Sequence, residues 1–167
     1  MKTVSYKWSD TAGLISMMKS YKSRIDNRIR LLEHKIAELI TAKAQQGFNS
    51  ATLNDGSRNA SVQVYAKMRS GDGLIVVVAE GEDAVWVEFG AGVSYNGSVG
   101  TSKHPKGGEL GFTIGSYGMG KGKRRKWGYY QDGELYLTRG TPTQMPLMRA
   151  VIEVSNDIAS IAREVFA

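Results

Sequence analysis

Leu14, Met18, Tyr21, Ile25, Ile29, Leu32, Ile36 and Leu39 recur along the chain at steps of three and four. That spacing lays one apolar stripe along an α-helix, with Lys, Arg, Glu and Asn on its other faces. It predicts a helix over 10–46. Ser9-Asp10 supplies side-chain oxygens for the free N–H groups of the first turn, and Gly47 is placed to end it. At about 1.5 Å per residue such a helix is about 55 Å long, whereas a compact domain of this size is roughly 40 Å across. Two outcomes follow. Either the helix breaks near Ser20 or Ser23, or one end projects and carries its stripe to a neighbouring subunit.

The pattern then changes period. Val62, Val64, Ala66 and Met68 alternate with Ser61, Gln63, Tyr65 and Lys67, as in a half-buried strand. Ser70-Gly-Asp-Gly73 has hairpin-turn chemistry, and Leu74-Ile-Val-Val-Val-Ala79 suits a central strand covered on both faces. After Glu80-Gly-Glu-Asp83, Ala84 to Phe89 is expected as a third strand. Val85, Val87 and Phe89 would lie on one face, with Trp86 and Glu88 on the other. Three such strands form an antiparallel meander whose apolar face needs a helix over it. Residues 128–137 predict a further hairpin turning at Asp132-Gly133. Leu147, Val151, Val154, Ile158, Ile161 and Val165 predict a C-terminal helix, with Pro146 in its first turn. The fold class is α+β: two helices on a small, mostly antiparallel sheet. The 167 residues suit one domain, with residues 1–9 as an arm and 91–126 as a flexible loop.

That loop changes the picture of the charge. The chain carries a net +6. Lys103, Lys106, Lys121, Lys123, Arg124, Arg125 and Lys126 stand against one acid, Glu109, so the excess lies entirely within 92–126. Such a local field attracts polyanions or a partner surface, or merely keeps a loop solvated. Trp127, Tyr129 and Tyr130 adjoin the run. They could stack on nucleic-acid bases, but the reading favoured here makes them the buried face of the hairpin. There is no cysteine, hence no disulfide or thiolate site. The first residues lack a signal-peptide core and no apolar run approaches the roughly 20 residues of a membrane span, so a soluble chain made in a cytoplasm is expected.

Candidate chemistry is sparse. Gly115-Ser-Tyr-Gly-Met-Gly-Lys121 has the spacing of a phosphate loop, but Gly122 stands where Ser or Thr should hold magnesium. His34 and His104 are far apart in sequence, with no third ligand in register. His34 is expected on the surface. Glu80, Glu82, Asp83 and Glu88 cluster in sequence, and paired carboxylates can perform acid–base work; acids in a turn are more simply solvated. No catalytic residue, cofactor or metal is assigned.

The order of elements, the segment Val87-Glu-Phe-Gly90, the variable loop, Trp127-Gly-Tyr-Tyr, and Arg139-Gly-Thr-Pro-Thr-Gln-Met-Pro-Leu-Met-Arg-Ala150 together resemble the tail-completion, or head–tail joining, proteins of long-tailed bacteriophages. These are often labelled minor capsid proteins. In that family a Val-Glu-Phe-Gly strand end precedes a loop, and a glycine followed by a Pro-Phe-(Leu/Met)-Arg segment opens the last helix. Glu88, Phe89, Gly90, Gly140, Pro146, Met148 and Arg149 occupy the family's places here, with Leu147 in place of the commoner Phe. The resemblance implies a non-enzymatic virion protein, assembled in the host cytoplasm into a ring at the phage neck, commonly a hexamer. Its partners would be connector or head-closure proteins and tail-tube or tail-terminator proteins, with DNA passing through the lumen. A tail terminator, and a sequence-independent DNA-binding module built on 103–130, are the alternative readings.

Overall fold

The computed structural model describes residues 9–53, 58–90, 94–95, 98–99, 103–107, 109–110, 127–138 and 140–167. The architecture is α+β, dominated by one helix. Helix α1 runs unbroken over Ser9–Asn49, 41 residues, or about 60 Å. The expected break near Ser20 or Ser23 does not occur. Nor does Gly47 end the helix. It lies two residues inside, in the last turn, where a Cβ would sit 2.7 Å from the Pro146 Cβ. The glycine therefore serves a close helix crossing rather than a C-terminal cap.

Two short antiparallel pairs follow in chain order. Strands β1 (Thr52–Leu53) and β2 (Arg58–Asn59) form the first. The second is a full hairpin of β3 (Gln63–Met68) and β4 (Ile75–Glu80), in register from Gln63↔Glu80 to Met68↔Ile75. Its turn carries Gly71 and Gly73 at φ 108° and 69°. The Arg69 guanidinium and the Leu74 N–H hold the Asp72 carboxyl below its ordinary pKa. Strand β4 is not a central strand: among the described residues it pairs only with β3, and Ile75 to Ala79 are half-buried. The expected meander stops at two strands.

Ala84 to Phe89 is not the third strand. It forms a short helix, α2 (Ala84–Phe89). Ala84, Val87 and Glu88 are buried while Val85 is 43% exposed. That is the i, i+3, i+4 pattern of a helix, and it contradicts the alternation a strand would need. The turn is locked from outside: Asp83 accepts the Ser61 N–H at 3.0 Å and its carbonyl accepts the Val87 N–H.

The described part of the 91–126 excursion contains a two-residue ladder, β5 (Ser94–Tyr95) with β6 (Ser98–Val99). Beyond it, β7 (Trp127–Gln131) and β8 (Glu134–Thr138) form the expected hairpin. Asp132 and Gly133 both have positive φ, 51° and 82°, as a two-residue turn between twisted strands requires. Helix α3 (Pro146–Phe166) then returns antiparallel to α1. Pro146 lies at Gly47, Lys43 pairs with Glu153 at 2.7 Å, and Lys35 pairs with Glu164. At the far end Arg28 donates to the Val165 carbonyl at 2.7 Å, placing a cation on the terminal carbonyls of α3.

The core lies where these elements meet. Ala44 and Phe48 of α1 pack with Ala51, Leu53, Val64, Val87 and Ala150, and Ile40, Val77, Trp86 and Leu147 border the cluster. The Gln45 amide joins layers, donating to the Val62 carbonyl and accepting the Val64 N–H. In α3 the buried line is Pro146, Ala150, Val154, Ile161 and Val165, while Val151 and Ile158 of the expected stripe are exposed.

Candidate functional site

Helix α3 begins with a problem of hydrogen bonding. The residue before its first turn is Met145, which has no side-chain acceptor and sits at φ 55°. The N–H groups that follow Pro146 therefore need an acceptor from elsewhere. Glu88 supplies it from α2. Its Oε2 accepts the Leu147 N–H and its Oε1 the Met148 N–H, both at 2.9 Å. A carboxylate at a helix N-terminus also opposes the positive end of the helix dipole. Glu88 is only 6% exposed, so this is a buried, charge-assisted joint between two helices.

His104 closes the joint. It is 7% exposed, its Nε2 lies 3.2 Å from Glu88 Oε1, and its ring stands 4.3 Å from that of Phe89. The Lys106 N–H donates to His104 Nδ1 at 3.0 Å. With Nδ1 accepting, Nε2 carries the proton and donates it to Glu88. The joint thus ties His104, within the 91–126 excursion, to the core. Around it, Thr143 Oγ1 donates to the Phe89 carbonyl at 2.9 Å, and Gln144 N donates to the Val87 carbonyl at 2.9 Å. The Gln144 side chain pairs with both backbone groups of Thr52. Gly90, at φ 79°, leaves no room for a side chain: a Cβ would meet Thr143 Oγ1 at 2.5 Å.

The residues carrying the sequence resemblance therefore come together. Glu88, Phe89, Gly90, Pro146 and Met148 are consecutive parts of one joint. Arg149 lies one residue further along α3 and is exposed, and Gly140 is buried at φ 90° on the approach. Both Glu88 oxygens are engaged, Oε2 by a backbone N–H and Oε1 by a backbone N–H and a histidine, an arrangement that holds a helix end. The carboxylate cluster does not act as a unit. Glu80 and Glu82 are exposed as expected of turn acids; Asp83, expected to be solvated with them, is buried and bonded to Ser61, and Glu88 is buried and separately bonded. Among the described residues no three His, Asp or Glu side chains are grouped to hold a metal.

His34 is exposed on α1 as expected. Lys103 and Lys106 are exposed on either side of the buried His104. Lys121, Lys123, Arg124, Arg125, Lys126 and the phosphate-loop-like stretch lie outside the described residues, as do the side chains of Trp127 and Tyr129. Tyr130 is not on a buried face: it is 76% exposed. Sequence reasoning missed His104 and Gln144 as parts of the joint. One signal was available, since Gln144-Met145-Pro146 offers no Ser, Thr, Asp or Asn to cap the helix it precedes.

Among the described residues, large apolar side chains stand exposed on α1, on the β7–β8 hairpin and on α3. On α1 every residue from 12 to 24 is exposed, including Leu14, Ile15, Met17, Met18 and Tyr21. On the β7–β8 hairpin Tyr130, Leu135 and Leu137 are exposed, and on α3 Ile152, Ile158 and Phe166. Among the described residues no helix is long and apolar enough to cross a membrane. No family model, curated protein or solved structure matches the chain.

Proposed function

We propose that this protein is a structural component of a long-tailed phage or prophage particle: a tail-completion, or head–tail joining, protein that assembles as a ring at the neck, around the path of the DNA. The observation that carries the reading is the free half of α1. A fully exposed stretch over 12–24, bearing five large apolar side chains, is what a subunit keeps for a neighbour. A head-to-tail contact through such a helix closes into a ring when its rotation allows. The joint adds weight, because the segments that resemble the phage family, around 87–90 and 140–150, meet in it. No catalytic role is proposed.

Purified particles that encode the chain test this reading. Electron microscopy of the neck is expected to place copies of the chain in a ring between connector and tail tube. A chain that stays monomeric and is missing from such particles would overturn it. The concentration of the net +6 within 92–126 supports a second role for the same chain, sequence-independent contact with DNA.

A further inference from the structure

We infer that the exposed face of α1 over 14–24 is the seat for the β7–β8 hairpin of a second copy of this chain. This rests on the ring reading and names the contact that would build it. The helix side is apolar in the middle and basic at its edge. Met17, Met18 and Tyr21 are 68%, 71% and 61% exposed, and Lys19, Lys22 and Arg24 border the same surface depression. Over 9–30 the sequence holds five basic residues against two acidic.

The hairpin is the complement. In its register Tyr130 pairs with Leu135 and Gly128 with Leu137. Paired residues share a face of the ladder, so Tyr130, Leu135 and Leu137 stand together, with Gly128 leaving space beside Leu137. They are 76%, 57% and 71% exposed. Residues 127–138 contain two acids, Asp132 and Glu134, and no base. Asp132 is exposed at the turn, and Glu134 is exposed at the start of β8 on the opposite face, where it accepts the Tyr136 hydroxyl. Apolar face meets apolar face while Asp132 at the tip meets Lys19 and Arg24 at the edge, Lys22 being paired with Asp26 at 3.0 Å, and that charge match sets the direction of approach. Other surfaces fit less well. The 91–126 segment of a second copy, for one, is basic and would be repelled. Because seat and hairpin are different surfaces, the contact is head-to-tail and propagates from copy to copy.

The chain has no cysteine, so introduced thiols report the contact directly. Full-length Met18→Cys and Leu137→Cys chains are mixed and treated with a short bifunctional maleimide. The expected result is a mixed covalent dimer in several-fold excess over that from Met18→Cys mixed with Asp72→Cys, a thiol on the other hairpin's turn. Ile15→Cys with Leu135→Cys is the second pair, and unchanged thermal melting shows that each variant folds. Asp132→Lys with Glu134→Lys in the hairpin chain should lower the yield about tenfold. Lys22→Glu with Arg24→Glu in the helix chain should restore it. A yield no higher than that of the Asp72→Cys control overturns the inference. So does a chain carrying both Met18→Cys and Leu137→Cys that links only within itself, since its own hairpin would then cover the helix. The ring reading fails separately: neck rings in which the hairpin lies away from α1 overturn this contact alone, whereas specific linkage by a chain missing from particles overturns the neck assignment alone.

Discussion

Glu88 is the residue on which the fold's two ends depend. Removing its carboxylate leaves the Leu147 and Met148 N–H groups and His104 without their acceptor. Breaking a buried, charge-assisted set of this kind costs about 3–5 kcal/mol, so Glu88→Ala should lower the melting temperature by roughly 10 °C for a chain of this length. Glu88→Gln keeps one acceptor and should lose about half as much. His104→Ala spares the helix cap and should cost least, about 1 kcal/mol. The order of the three variants in denaturant melts is the test, and a neutral Glu88→Ala would refute the cap. Gly90 gives a second residue-level contrast. Gly90 and Gly133 share a positive φ, 79° and 82°, but a Cβ at Gly133 meets nothing within 4 Å, whereas one at Gly90 strikes Thr143. Gly133→Ala should therefore cost only backbone strain, about 1 kcal/mol. Gly90→Ala should cost at least about 2 kcal/mol more, measured in the same melts.

At the scale of elements, the close approach of α1 and α3 decides the sign of a substitution that propensity alone would get wrong. Gly47 and Gly13 both lie inside α1, where Ala is favoured by about 1 kcal/mol. A Cβ at Gly13 meets nothing within 4 Å; one at Gly47 is driven against Pro146. Gly13→Ala should raise helicity by circular dichroism without lowering the melting temperature. Gly47→Ala should destabilise by about 1–2 kcal/mol, because overpacking at a crossing outweighs the helical gain. The same crossing explains what the sequence could and could not reveal. The stripe from Leu14 to Leu39 predicts α1, and Asp132-Gly133 predicts its hairpin, because both signals are local. Gly47 reads as a stop signal until Pro146 is known to lie beside it. Ala84 to Phe89 reads as a strand because six residues, five of them apolar, β-branched or aromatic, are too few to separate the two periods. What makes it a helix is remote: Ser61 on Asp83 at its start, and the bare N-terminus of α3, which needs Glu88 turned inward. The joint's motif residues were visible one by one; their meeting, and the part of His104 in it, depended on contacts spanning up to 60 positions.

For the whole molecule, charge and shape divide the labour. Outside 92–126 the charges cancel, and the structural surfaces identified here, the free half of α1 and the β7–β8 hairpin, lie outside that segment. Assembly and polyanion contact should then be separable by mutation. Lys123, Arg124, Arg125 and Lys126 supply four of the seven cations of the loop. If they contact phosphates, each releases bound counterions, and the logarithm of the binding constant for duplex DNA falls with the logarithm of salt at about 0.9 per contact. Replacing all four by Ala should reduce the steepness of that dependence by about 3–4 and weaken binding equally on unrelated sequences. The hairpin–helix linkage should be untouched, since all four precede β7, which begins at Trp127, and the proposed contact is made by α1 and β7–β8. Fluorescence anisotropy with labelled duplexes across a salt series reads the first effect, and the maleimide assay reads the second. An unchanged salt slope would remove DNA from the account of this loop and leave its charge to a protein partner.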